Sequence, residues 1–180
     1  MNVQILGRLS LAAVAAGLAL SGSAAAQQPP MPGPEHKVLA MEAGTWDATV
    51  EMFMPGAPPT VSKGTEVGTM GCGGLCLITD FKGEFGGMPF HGHGTSTWDP
   101  AKKKYVGTWI DSMSSYFSKM EGQKDANGVL VLHWTAPDEK TGKMVPHRSE
   151  SVETAGTRVM TFFQGKDPGT KTMVIQMKRR

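Results

Sequence analysis

His91 and His93 are the side chains in this sequence best suited by type and spacing to do chemistry. In an extended chain, residues i and i+2 point to the same face, so His91-Gly92-His93 would offer two imidazoles to one ion. Thr95 and Thr97 continue that face. Gly92 and Gly94 fall on the other, where missing side chains point to a close backbone approach or a sharp bend. Imidazoles and thioethers suit copper, and the chain holds thirteen methionines. A divalent metal, copper or a haem held by His91 and His93 is therefore one expectation. Two histidines make only half a site, however, and no H-E-x-x-H pattern or carboxylate follows at ligand spacing. The methionines are scattered singly, which fits core filling, and a polar strand face without an ion asks for less. A third ligand would come from His36, Asp111, His133 or His147, and spacing sets none of these beside His91.

Asp111 is the second candidate. It alternates in phase with Tyr105, Gly107 and Trp109, so one face carries two aromatic rings and a carboxylate. Facing inward, Asp111 would need hydrogen-bond donors or an upward-shifted pKa. Tyr105, Trp109 and Asp111, joined by His91 and His93, then form the expected ligand-binding set. The plainer expectation is that Asp111 caps the turn at Asp111-Ser112 through backbone hydrogen bonds.

Cys72-Gly73-Gly74-Leu75-Cys76 spans a short loop. The spacing is not C-x-x-C, and no thioredoxin-like βαβ setting surrounds it, so a structural disulfide is expected over a redox pair. A zinc held by both cysteines and two histidines is the alternative, which export disfavours. No nucleophile elbow, phosphate loop or dinucleotide fingerprint occurs, and Glu66 and Glu84 stand alone along the chain. No catalytic constellation is recognisable.

These residues must be held by the segments around them. Residues 1–26 read as a cleaved signal peptide: Arg8 supplies a positive start, residues 9–20 an apolar run, and Ala24-Ala25-Ala26 a cleavage site. The run is short for a bilayer span, which needs about 20 residues. The expected product is a periplasmic or secreted chain with no later membrane span. Loss of Arg8 takes the net charge from +2 to +1, and no basic field argues for nucleic acid. Residues 27–34 form a Pro-rich leader, and 35–180 suit a single domain.

Pro34 opens one helix candidate and Gly44 closes it. Beyond Gly44 the period changes from 3.6 to 2: Trp46, Ala48, Val50 and Met52 take one face, and Asp47, Thr49 and Glu51 the other. Strands are expected at 45–53, 60–70, 76–85, 105–112, 116–122, 129–136, 144–152, 158–164 and 170–177, with another beginning at Phe90. Turn chemistry punctuates them at Asp99-Pro100, Asn127-Gly128, Thr141-Gly142, Ala155-Gly156 and Pro168-Gly169. About ten short strands in one antiparallel meander would leave long edges unless the sheet closes, so an up-and-down β-barrel is expected. Arg179 shares a face with Met173, Ile175 and Met177. It either packs on an aromatic ring, with Trp46 available if the first strand meets the last, or frays into water.

Gly44-Thr45-Trp46 after a short helix resembles the G-x-W opening of lipocalin-like (calycin) barrels, in which a basic residue of the last strand packs on that tryptophan. More of the chain resembles the bacterial family known as domain of unknown function 1579. The resemblance runs in order through Glu35-His36, Gly44-Thr45-Trp46, Gly87-Met88-Pro89-Phe90, Trp98-Asp99, Tyr105-Val106, Trp109, Asp111-Ser112, Gly122 and Asp125. It departs at Met177-Lys178-Arg179, where a tyrosine would precede the basic residue by two positions, and at Cys72 and Cys76. The resemblance implies an all-β calycin-like barrel and no activity. On fold analogy, a small apolar molecule inside the barrel is the expected partner.

Overall fold

The computed structural model describes residues 29–180 except Glu139; the signal-like segment 1–26 and the start of the leader lie outside the described residues. The change of period at Gly44 marks the change of structure. Before it stands one helix, α1 (Pro34–Glu42). After it come ten strands: β1 (Gly44–Met52), β2 (Thr60–Gly71), β3 (Cys76–Phe85), β4 (Met88–Asp99), β5 (Lys104–Asp111), β6 (Ser114–Lys124), β7 (Leu130–Pro137), β8 (Met144–Thr154), β9 (Thr157–Gln164) and β10 (Thr170–Arg179). Every strand pairs with its sequence neighbours, and β1 pairs antiparallel with β10, so the sheet closes as an up-and-down barrel. Closure leaves no edge strand to template aggregation. A disulfide joins Cys72 to Cys76 across the 3₁₀ turn between β2 and β3, with Cα atoms 5.6 Å apart.

The seam between first and last strands sets the rest of the barrel. Trp46 lies opposite Arg179, Ala48 opposite Met177, and Val50 opposite Ile175. All but Arg179 are buried, and Phe81 and Phe90 join them from β3 and β4. A second cluster, Leu39, Leu77, Tyr105 and Leu130, packs under α1. The helix touches β2, β3 and β4 and closes the end of the barrel at which β1 begins.

Arg179 carries the helix–barrel junction. Its guanidinium lies 4.1 Å from the Trp46 ring centroid. It also donates to the carbonyls of Ala43, at 2.6 Å, and Met41. Those are end-of-helix carbonyls with no intrahelical partner, where a cation is favoured. The Trp46 indole donates to Glu42 O at 2.9 Å. Gly44 between them has φ +126°, and a Cβ there would sit 2.4 Å from Arg179 Nη1. Both the backbone conformation and the space require glycine.

Deeper at the same end lies a buried ion cluster. Arg158 is 2% exposed and donates to Glu66, and its Nη1 lies 2.9 Å from Glu42 Oε2. Glu66, isolated in the sequence, is thus paired in space across the barrel. Arg158 also lies over Trp46, 5.0 Å from the ring centroid.

Candidate functional site

The end opposite α1 differs in character. There the inward-facing positions of β5, β7, β8, β9 and β10 bring Trp109, Trp134, His147, Phe162 and Met173 to the barrel mouth, all partly exposed. Trp134 and His147 face each other across the β7–β8 pair and stack, with centroids 5.4 Å apart and planes 13° from parallel. Phe162 meets Trp134 edge-on at 6.3 Å. Four methionines stand in or beside the connections at this end: Met54, Met88, Met113 and Met144, each about half exposed. The turns at the α1 end carry Lys102, Lys103, Asp125 and Asn127 instead.

His147 is the polar centre of this aromatic group. Its Nε2 is buried and has no hydrogen-bond partner among the described residues. Burial pushes the imidazole below its ordinary pKa, with the Asp138 charge opposing. Asp138 is itself occupied: Oδ1 accepts from Thr141 N and Oγ1 at 2.9 and 2.8 Å, and Oδ2 from Gln164 Nε2 at 3.2 Å. Those bonds with Thr141, above all, hold its carboxyl below the usual range.

Trp109 has a built seat. A Cβ on Gly92 would lie 2.1 Å from Trp109 Cζ2, and one on Gly94 2.9 Å from Cε3, so the indole lies flat against side-chain-free β4. Its Nε1 donates to Asp111 Oδ2 at 2.9 Å. Asp111 Oδ1 accepts from the Met113 and Ser114 amides at 2.9 and 3.0 Å. Asp111 therefore caps the β5–β6 turn and anchors the indole together.

The spacing His-Gly-His-Gly gains a structural account: the glycines seat Trp109 inside, and the histidines fall outside. His91 is exposed on the outer wall. His93 Nδ1 lies 2.8 Å from Asp80 Oδ1, with both side chains more than half exposed. Among the described residues no three His, Cys, Asp or Glu side chains converge as a metal site. His91 and His93 are thus separated by the barrel wall from Trp109, Tyr105 and Asp111. Tyr105 in turn stands at the α1 end, 5% exposed, edge-on to Trp98 with its hydroxyl 3.4 Å from Glu35 O. Of the five expected ligand-binding residues, Trp109 and Asp111 reach the mouth. Trp134, His147 and Phe162 join them there. Their signal was available, since Trp134 shares a face with Leu130 and Leu132, and Phe162 with Met160.

Two depressions mark the outer wall. One of about 460 Å³ is lined by Thr95, Thr97, Thr108, Lys119 and Glu121, and one of about 740 Å³ by Asp47, Lys63, Thr65, Lys82 and Glu84. The first is also lined by Cys76, Val106 and Met120, so apolar and charged groups mix there. No described helix is long and apolar enough to cross a membrane.

A family model described as "Protein of unknown function (DUF1579)" matches residues 31–180. No curated protein matches the chain. Among solved structures, the fold is similar to an S-type phycobiliprotein lyase, CPES, from Guillardia theta. The TM-score is 0.57 at 10% identity, over 81% of this chain and 92% of that one. At that identity the likeness speaks for the barrel alone.

Proposed function

This chain belongs to the DUF1579 family, and from that premise we propose that it is an exported binding protein for a small, largely apolar molecule. The ligand enters at the barrel end opposite α1. One observation carries the reading: the inward-facing rings of Trp109, Trp134, His147 and Phe162 at this end are partly exposed, whereas Trp46 and Tyr105 at the α1 end are buried. An apolar concavity with a few polar groups is the usual form of a small-molecule site, and partly exposed tryptophans gain when a ligand covers them. The methionines around the mouth add adaptable apolar surface. Similarity to a lyase barrel is compatible with a small guest and names none.

Titration of the chain lacking residues 1–26 with N-phenyl-1-naphthylamine tests this. The expected result is saturable fluorescence enhancement, quenching of tryptophan emission, and a rise in Tm with probe concentration. No saturable uptake of this or other apolar probes overturns the reading. Export rests on Arg8, the 9–20 apolar run and Ala24-Ala25-Ala26. N-terminal sequencing of the protein from the periplasm or medium should begin at Gln27; an intact Met1 in the cytoplasm contradicts it.

A further inference from the structure

We infer that the molecule bound in the mouth is planar and carries one neutral oxygen function, a hydroxyl or carbonyl, that hydrogen-bonds Nε2 of His147. This rests on the binding reading above and specifies its ligand. A buried polar atom without a partner is costly and rare in native structures. Nε2 of His147 is such an atom, in a ring stacked on Trp134, with Phe162 edge-on to Trp134. The surrounding rings favour a flat guest, since offset and edge-to-face contacts with aromatics add to simple burial. A modest turn about the broad χ2 torsion of His147 presents Nε2 to that guest.

Two observations select a neutral group. Burial lowers the imidazole's pKa and so disfavours the positive charge that would attract an anion. The nearby carboxylate of Asp138, fixed by Thr141 and Gln164, repels one. A neutral imidazole either accepts from a hydroxyl or donates to a carbonyl, according to its tautomer.

The test displaces N-phenyl-1-naphthylamine with 2-naphthol, naphthalene and 2-naphthoate, using wild type and His147→Phe. The phenyl ring keeps the stack on Trp134 and removes the nitrogen. The expected result is that the preference for 2-naphthol over naphthalene falls about tenfold in His147→Phe, the size of one hydrogen bond. Naphthalene affinity should stay nearly level. Unchanged preference with intact naphthalene binding overturns the His147 assignment and leaves the apolar binding reading standing. No binding of any probe by wild type defeats both. Tighter binding of 2-naphthoate than of 2-naphthol overturns the neutral assignment. Should His147→Phe not fold, the His147 Nε2 nitrogen resonance in wild type decides: 2-naphthol should move it and naphthalene should not, and equal shifts contradict the inference.

Discussion

The two ends of the barrel are built from the same alternating strands and solve opposite problems. At the α1 end, Arg158, Glu66, Glu42, Trp46 and Arg179 interlock a helix with four strands through paired charges and hydrogen bonds, with Arg158 Nε alone among the buried side-chain atoms of that cluster left without a partner. At the other end, aromatic rings stand partly exposed and an imidazole nitrogen has no partner. Buried ion clusters give geometric specificity at the cost of desolvation, whereas apolar rings left partly exposed forgo some of the stability of full burial. The interlocked charges lie at one end, and the proposed ligand site at the other.

Substitutions at the two ends should therefore separate stability from uptake. Arg158→Ala gives the largest effect, because it strands buried Glu66 without its counter-ion. A loss of about 3–5 kcal/mol in urea denaturation is expected, and a loss below 1 kcal/mol would show that the cluster does not hold the α1 end. Next comes the seat of Trp109. Gly92→Ala drives a methyl into the indole and should cost about 1–3 kcal/mol. Adding Trp109→Ala should cost much less in that background than in wild type, and simple additivity would contradict the close packing.

Glu42 yields a pH-dependent difference. Burial chiefly raises its pKa from 4.5 to about 7, with Glu66 and Glu153 adding and Arg158 opposing. The folded state then binds the proton more tightly than the unfolded state. Its contribution to stability is greatest below pH 4.5 and is lost as pH rises through about 7. Glu42→Gln should flatten the change in urea midpoint between pH 5 and pH 8; an unchanged slope would place the titration elsewhere. The smallest stability effects belong to the outer wall. His91→Ala and His93→Ala should each shift stability by less than about 0.5 kcal/mol and leave probe uptake unaltered.

The barrel was legible because period 2 and turn residues are local signals. Gly128, Gly142, Gly156 and Gly169 all take positive φ at the expected turns. The faces were legible as well: Phe90 and Trp98 divide from His91 and His93 as alternation requires. Depth along the barrel was not. Tyr105 and Trp109 share a face, yet one lies beneath α1 and the other at the mouth, because four residues of strand span about 13 Å. Long-range pairs also escaped. Arg158 carries the same signal as Arg179, a charge in phase with Met160 and Phe162, but nothing local couples it to Glu66, 92 residues away. His147 stood in the sequence as a possible third ligand, and only the β7–β8 register sets it against Trp134.

The most direct test of the division between the ends is N-phenyl-1-naphthylamine titration of Trp134→Ala beside Ile110→Ser, whose side chain lies on the outer wall. Wild type and Ile110→Ser should bind one probe per chain with equal affinity, and Trp134→Ala should bind it at least tenfold more weakly while remaining folded. Equal binding by all three proteins would contradict a site in the mouth.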